Sequence, residues 1–295
     1  MAYAGDTNYL AGSLVERIQA EAIVAYSISG VTRKLVIQAE APEGAQYITI
    51  PKVNMGTNQL TSADVSARTD STTEIDATVI NTDKATITPA MYVVRVDQYD
   101  SVAQQSASNP AVYWGGLIAN AMAAKIDSLL NALFDDFSTS VGTSTVGVTT
   151  DDLLAALKSL KYYNAPGQPV WVAPAGSIWG QYGIISEVLS TSAVAGVGAQ
   201  DQALRDAWIG RIAGIDVFHS NEFTENSNAT KSGIFVKSAL AYGFVPFKVN
   251  GNTLEIRVEQ DRAPTKLLTS WVGSVFGGVI KIYDRYGVEL HVKTS

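Results

Sequence analysis

The sequence predicts an α+β fold with a long protruding β-ribbon, and three observations carry that expectation. Alternating apolar strands flank a Thr-, Ser-, Asn- and Asp-rich stretch at 54–71, one helical stripe crosses the middle of the chain, and strand-like segments fill its last third. The ribbon is the most informative of the three. Tyr47-Ile48-Thr49-Ile50 alternates, and so does Ile75-Asp76-Ala77-Thr78-Val79, which sets apolar side chains on one face of each strand. Gly56 is an early breaker, and Ile87 and 92–96 resume the extended pattern with β-branched residues. A two-stranded ribbon is only marginally stable alone in water, so an arm over 47–96 with nothing of its own to pack against needs another surface. A second copy of the chain supplies one. Assembly, rather than chemistry, is the first expectation.

The remaining elements follow in order. Leu10, Leu14, Ile18, Ala22 and Tyr26 recur every four residues and predict an amphipathic helix over 8–26, preceded by a loose arm. Turn residues occupy 27–30, an extended segment is expected over 31–39, and Pro42-Glu43-Gly44 forms a turn into the ribbon. Asn109-Pro110 reads as the start of a helix, Asn as cap and Pro in the first turn. Ile118, Met122, Ile126, Leu129, Leu130, Leu133 and Phe137 then extend a stripe to 137, on the order of 40 Å at 1.5 Å per residue. Gly115 and Gly116 weaken its first turns.

A Gly/Ser/Thr-rich linker follows at 138–149. Thr150 caps a helix carrying Leu153, Leu154, Leu157 and Leu160, with Asp151 and Asp152 in its first turn, and Asn164-Ala165-Pro166-Gly167 stops it. Val170-Trp171-Val172 is a short buried strand between prolines, 175–189 a second short helix, and 190–200 a mobile loop. Strands are expected at 212–219, 234–237, 254–259 and 279–284, with Asn250-Gly251 as a hairpin turn. The last strand, 287–293, turns Val288, Leu290 and Val292 one way and Glu289, His291 and Lys293 the other. No internal repeat stands out.

Composition bounds the function. At 295 residues and 46% hydrophobic, the chain can bury a sizeable core as one large domain or two smaller ones. Its 17% of charged residues is low against the roughly 25% of soluble domains, as expected where partners cover much of the surface. Net charge is −7 with no basic run, which removes the electrostatic footprint of a dedicated nucleic-acid binder. Cysteine is absent, so disulfides and thiolate metal sites are excluded. Residues 1–13 lack the basic start and apolar core of a signal peptide, and no continuous apolar run nears the ~18 residues of a membrane span, so a soluble, cytoplasmic chain is expected.

Searching for chemistry yields no catalytic, cofactor or metal residue. His219 and His291 have no second His or acidic cluster at ligand spacing and read as surface or edge residues. Gly176-Ser177-Ile178-Trp179-Gly180 and Gly273-Ser274-Val275-Phe276-Gly277 miss the spacing of a serine-hydrolase elbow, and Gly196-Val197-Gly198 lacks the third glycine of a dinucleotide loop. Asp135-Asp136 and Asp151-Asp152 sit at helix ends, where solvation and capping account for them. Trp114, Trp171, Trp179, Trp208 and Trp271 form no stacking motif and suit core or interface packing.

The order of elements resembles the major capsid proteins of tailed bacteriophages, with their HK97-like fold. The resemblance rests on Ile48-Thr49-Ile50-Pro51-Lys52 opening the ribbon and Asp151-Asp152-Leu153-Leu154 opening the second helix. It rests also on Val170-Trp171-Val172-Ala173-Pro174, on the run from Ile212-Ala213-Gly214-Ile215 to His219-Ser220-Asn221, and on the closing Tyr286-Gly287-Val288-Glu289-Leu290. It implies an N-terminal arm and helix over 1–42, an extended loop over 43–97, a peripheral domain with its spine helix over 98–165, an axial domain over 166–276, and closing peripheral strands over 277–295. It further implies a non-enzymatic, cofactor-free virion protein, assembled in the host cytoplasm, that forms pentamers and hexamers in an icosahedral shell. Scaffolding, portal and decoration proteins are the implied partners, with double-stranded DNA enclosed without sequence-specific contacts and no membrane. Some members of the family join a loop lysine to a neighbour's asparagine. Nothing around Lys52 or Lys84 marks such a site, and that chemistry is not carried over. An encapsulin-type nanocompartment shell shares the fold. A soluble oligomeric α/β enzyme with a ribbon arm and a surface adhesin or carbohydrate-binding module remain as readings of other classes.

Overall fold

Two sheets organise the chain, and one long helix lies across both. The computed structural model describes residues 7–42, 45–53, 82–101, 113–179, 181–185, 211–223, 229–249 and 252–293. The first sheet has five strands: β1 (Ile37–Glu40), β4 (Ala90–Tyr99), β10 (Leu240–Phe244), β13 (Ile256–Ala263) and β14 (Leu268–Lys281). β14 is its backbone, with β13 on one edge, β4 on the other, and β10 beside its C-terminal end. The second sheet runs β5-β15-β9-β6-β8-β7, formed by Ser140–Val141, Gly287–Lys293, Ala229–Val236, Pro169–Ala173, Ile215–His219 and Arg211–Ile212. Two small ribbons complete the strands: β2 (Ile48–Val53) with β3 (Thr82–Ile87), and β11 (Phe247–Val249) with β12 (Asn252–Leu254).

Helix α1 (Thr7–Ile28) is as the four-residue steps predict, with Ile18, Ala22 and Tyr26 buried. The segment expected to be extended after it instead makes a short helix, α2 (Thr32–Leu35), before entering β1. The reason is tertiary: Asp127 accepts from the backbone N–H groups of Val31 and Arg33 and holds the first turn.

The long helix α3 covers Trp114–Ala132 and continues as a 3-10 turn over Leu133–Asp136, about 28 Å of α-helix at 1.5 Å per residue rather than 40 Å. The Asn109-Pro110 start lies outside the described residues. Its glycine has a packing reason that periodicity hides. A Cβ on Gly115 would sit 2.6 Å from the Ile18 carbonyl oxygen, so the glycine lets α1 and α3 touch backbone to backbone. One face of α3 meets β14 at Gly273, where an added Cβ would lie 2.2 Å from Ile118. Its C-terminal end drives Phe134 against Gly233 of β9 in the second sheet. The stretch Trp114–Asp136 is also long and apolar enough to cross a membrane, with mean hydropathy 1.3, although polar residues interrupt it and hid it from a search for continuous runs. Ile118, Ala119, Met122, Ile126 and Leu130 on it are buried within the protein, so its apolar stripe is core.

α4 (Thr150–Tyr162) is capped one residue earlier than expected, by Thr149. Thr149 Oγ1 accepts from Asp152 N–H at 3.2 Å, and Asp152 accepts from Thr149 N–H at 3.1 Å. Leu153, Ala156 and Leu160 face the second sheet, together with Trp171, Ile215, Val288 and Leu290. Asn164 and Gly167 both take positive φ and end the segment as expected. α5 (Ala175–Ile178) is only four residues, shorter than the helix expected over 175–189; residues 180, 186–189 and all of the 190–200 loop lie outside the described residues.

Several strand expectations need correction. The expected strand 212–219 is a hairpin, β7 and β8, turning at Ala213 and Gly214, both with positive φ. The 138–149 linker contains β5, which pairs with β15. The second half of the ribbon does not belong to it: Tyr92, Val94 and Val96 lie in β4 and pack under α3 in the first sheet. The proposed break at 276/277 falls inside β14, and 150–162 packs on the second sheet rather than with the long helix. The closing strand β15 joins the second sheet between β9 and β5. These follow from non-local pairing: β9 ends in one sheet and β10 begins in the other four residues later, so contiguous blocks of sequence do not map onto contiguous sheets.

Candidate assembly surfaces

The ribbon is rooted, contrary to its sequence. Ile48, Ala85 and Ile87 are buried with Ala41, Ala241 and Ile282. A Cβ on Gly243 would lie 2.7 Å from Ile48 and 2.9 Å from Ile87, so the strand β10 beneath is stripped to a glycine where the ribbon crosses it. β2 and β3 pair in register from Ile48↔Ile87 to Val53↔Thr82 and lead away from this root. Residues 54–81, including the predicted 75–79 strand, lie outside the described residues. Lys52 ion-pairs with Asp83 at 3.3 Å, while Lys84 is exposed on the partner strand. The contact with Lys52 and the Lys84 backbone N–H, the larger influence, holds the Asp83 carboxyl below its usual range.

A buried polar clamp ties α1 to the first sheet. Glu255, between β12 and β13, accepts from Arg33 at 2.7 Å, from Tyr26 at 3.0 Å and from Tyr242 at 2.8 Å. Arg33 also donates to the Tyr26 carbonyl and lies 3.9 Å over the Tyr26 ring. Burial first, then the neighbouring Glu255 carboxylate, pushes the Tyr26 phenol well above its ordinary value. Tyr242 rises by burial, then through Tyr26 and Glu255. Both phenols therefore stay protonated donors at any physiological pH. Burial opposes the Arg33 charge, but Tyr26 and Glu255 outweigh it and raise its pKa. Sequence reasoning missed the clamp because its members span 26 to 255. A cleft of about 270 Å³ opens beside it, lined by Ile23, Ser27, Lys34 and Gln38.

Residues singled out for chemistry go elsewhere. His219 lies edge-on to Trp179, ring centroids 5.2 Å apart, and its buried Nε2 has no hydrogen-bond partner among the described residues. His291 lies on β15, whose polar face is partly covered: Glu289 is buried and pairs with Lys231 at 3.1 Å. Asp135 pairs with the same lysine, and Asp152 is the helix cap already described. Among the described residues no three His, Cys, Asp or Glu side chains cluster as metal ligands. Trp171 is buried and donates to Ser232 at 3.1 Å; Trp114 meets the buried Trp271 edge-to-face at 6.4 Å. Trp208 lies outside the described residues.

The surface also carries large apolar side chains. Val24 and Ile28 stand out from α1, Leu117 from α3 and Tyr113 from the residue before it, and Met91, Val93 and Tyr99 from the outward face of β4. On an otherwise charge-poor chain, such residues are suited to protein contacts.

No family model matches the sequence, and no curated protein matches it. Solved structures do match in fold. The capsid structure of cyanophage P-SCSP1u is 16% identical over 90% of this chain and 89% of that one, with a TM-score of 0.66. A protein of Mycobacterium phage Che8 is 19% identical over 83% and 84%, with a TM-score of 0.59. The holo-SrpI encapsulin of Synechococcus elongatus is 13% identical over 87% and 86%, with a TM-score of 0.56. The chain has the α+β HK97-like capsid fold that its order of elements led one to expect.

Proposed function

We propose that this chain is a structural shell subunit that self-assembles into the icosahedral capsid of a tailed phage and encloses its DNA genome. One observation carries the reading: the fold matches a phage capsid structure along nine-tenths of both chains. In this reading the first sheet with α1 and α3 forms the peripheral domain, α3 is its spine, and the second sheet with α4 forms the axial domain. The rooted ribbon is the arm that reaches a neighbour, and repeated weak contacts of this kind close a shell of pentamers and hexamers. The acidic balance suits loose packing of DNA, because gripping phosphate needs Lys and Arg. The subunit works by contact rather than by catalysis.

The match to an encapsulin supports a second reading, a nanocompartment shell around protein cargo. Expressing the chain alone and examining it by negative-stain microscopy with light scattering tests both. Closed shells or five- and six-membered rings are expected; a uniform dimer or tetramer at every concentration would instead favour an oligomeric enzyme. Particles isolated from the native source that contain double-stranded DNA support the capsid, and particles filled with protein support the nanocompartment.

A further inference from the structure

β4 is a ten-residue strand that, among the described residues, pairs only with β14 and leaves its second edge open. Its side chains alternate cleanly. Tyr92, Val94 and Val96 pack inward, whereas Met91, Val93, Arg95, Asp97 and Tyr99 are exposed on the outer face. A long edge with exposed Met91 (55%) and Val93 (57%) is a template for pairing with another strand.

The inner side of the same edge is apolar as well. α1 lies over β13, where Gln19 bonds the backbone of Ile256 and Val258, and α3 lies over Gly273 of β14 and Val94 of β4. Gly115 faces α1, and at 3.6 residues per turn Leu117 points about 200° and Tyr113 about 160° around the helix from it. Both therefore project on the β4 side, and they are 61% and 65% exposed. An overhang of large apolar side chains thus borders the open edge.

The charges of β4 select its occupant. Arg95 and Asp97 stand two residues apart on the outer face, 2.6 Å from each other. Antiparallel pairing of two identical strands keeps odd residues opposite odd ones only when the paired numbers sum to an even value. Centring on Val96 sets Arg95 of each copy opposite Asp97 of the other and Val93 opposite Tyr99. Moving the centre to 95 sets Arg95 against Arg95, and moving it to 97 sets Asp97 against Asp97. We propose that two copies of this chain pair β4 to β4 in antiparallel register about a two-fold axis through Val96, joining their first sheets into one. This two-fold contact deepens the shell reading and rests on it only for its place in a larger particle.

The test exploits the symmetry. Arg95→Asp places two acids and Asp97→Arg two arginines on the edge, so each variant alone opposes like charges at both contacts. Co-expressed, the two complement each other. Sedimentation with light scattering is expected to show about ten-fold less assembled protein for either variant alone and recovery to near wild type for the pair. An edge whose charges merely keep it soluble predicts wild-type assembly of both single variants, and that result overturns the proposal, as does a mixture no better than its parts. The chain has no cysteine, so Arg95→Cys and Asp97→Cys provide a second readout on folded protein. A disulfide is expected when the two are mixed and oxidised, and not from either alone. A cross-link from Arg95→Cys to Lys84→Cys in its place would assign the edge to a neighbour's ribbon and overturn the pairing. If wild-type protein forms no particles, the shell reading fails, and the mixed-cysteine disulfide still decides the two-fold contact.

Discussion

The two helix-on-sheet cores are built on different principles. Under α4, the second sheet is packed by Leu153, Ala156, Leu160, Trp171, Ile215, Val288 and Leu290, apolar side chains of one buried cluster. Under α1 and α3, the first sheet removes side chains so that backbones can approach, at Gly115 and Gly273, and runs a charged clamp through the gap from Arg33 to Glu255. The apolar core tolerates changes of shape at constant volume. The close-approach core has no slack, and its outer surfaces carry Val24, Ile28, Leu117, Met91 and Val93. Exposed apolar side chains occur on both halves: Leu154 and Tyr162 stand out from α4 as Val24, Ile28 and Leu117 do from α1 and α3.

The comparison can be broken at the centre of the second core. Trp171→Ala removes a fully buried indole and is expected to cost about 3–5 kcal/mol by denaturant unfolding, the largest loss in this set. Leu153→Met in the same core should cost under about 1.5 kcal/mol. Arg33→Ala leaves Glu255 in the clamp without its cation and is expected to cost about 3 kcal/mol, with α1 more readily cut by protease. Gly273→Ala adds a single methyl against Ile118 and should cost about 2 kcal/mol, more than Leu153→Met despite the smaller change. If Gly273→Ala proves neutral, the distinction between the cores collapses. Thr149→Ala removes half of a capping box and should cost about 1 kcal/mol, confined to α4.

The smallest effect is a pH dependence. Burial works to raise the pKa of Asp284, but the Lys281 ammonium and the Ser138 hydroxyl and N–H outweigh it and hold the carboxyl below the usual carboxylate range. A depressed folded-state pKa contributes stability above the unfolded value and loses it as pH falls through the folded one. Asp284→Asn should therefore be less stable than wild type at neutral pH, with the gap closing only as acid takes the pH below the ordinary carboxylate range and through the depressed folded-state value. Melting curves of both proteins from pH 7 downward check the sign.

Periodic and capped elements were legible in the sequence because their causes are local. Ile18, Ala22 and Tyr26 announce α1, Leu153, Leu157 and Leu160 behind Asp151-Asp152 announce α4 although its cap is Thr149 rather than Thr150, and Val288, Leu290 and Val292 mark β15 as a strand with one face buried. The order of these elements was enough to predict an HK97-like fold without an annotated motif. Tertiary structure decided what depends on partners far along the chain. It converted 32–35 into a helix through Asp127, moved 90–96 from the ribbon into the first sheet, and gave the ribbon a root at Gly243. It also turned the glycines of α3 from weak points into contact points and assembled the clamp from Tyr26, Arg33, Tyr242 and Glu255. Strand pairing and close packing join residues hundreds of positions apart. Local propensity carries no record of which of them will meet.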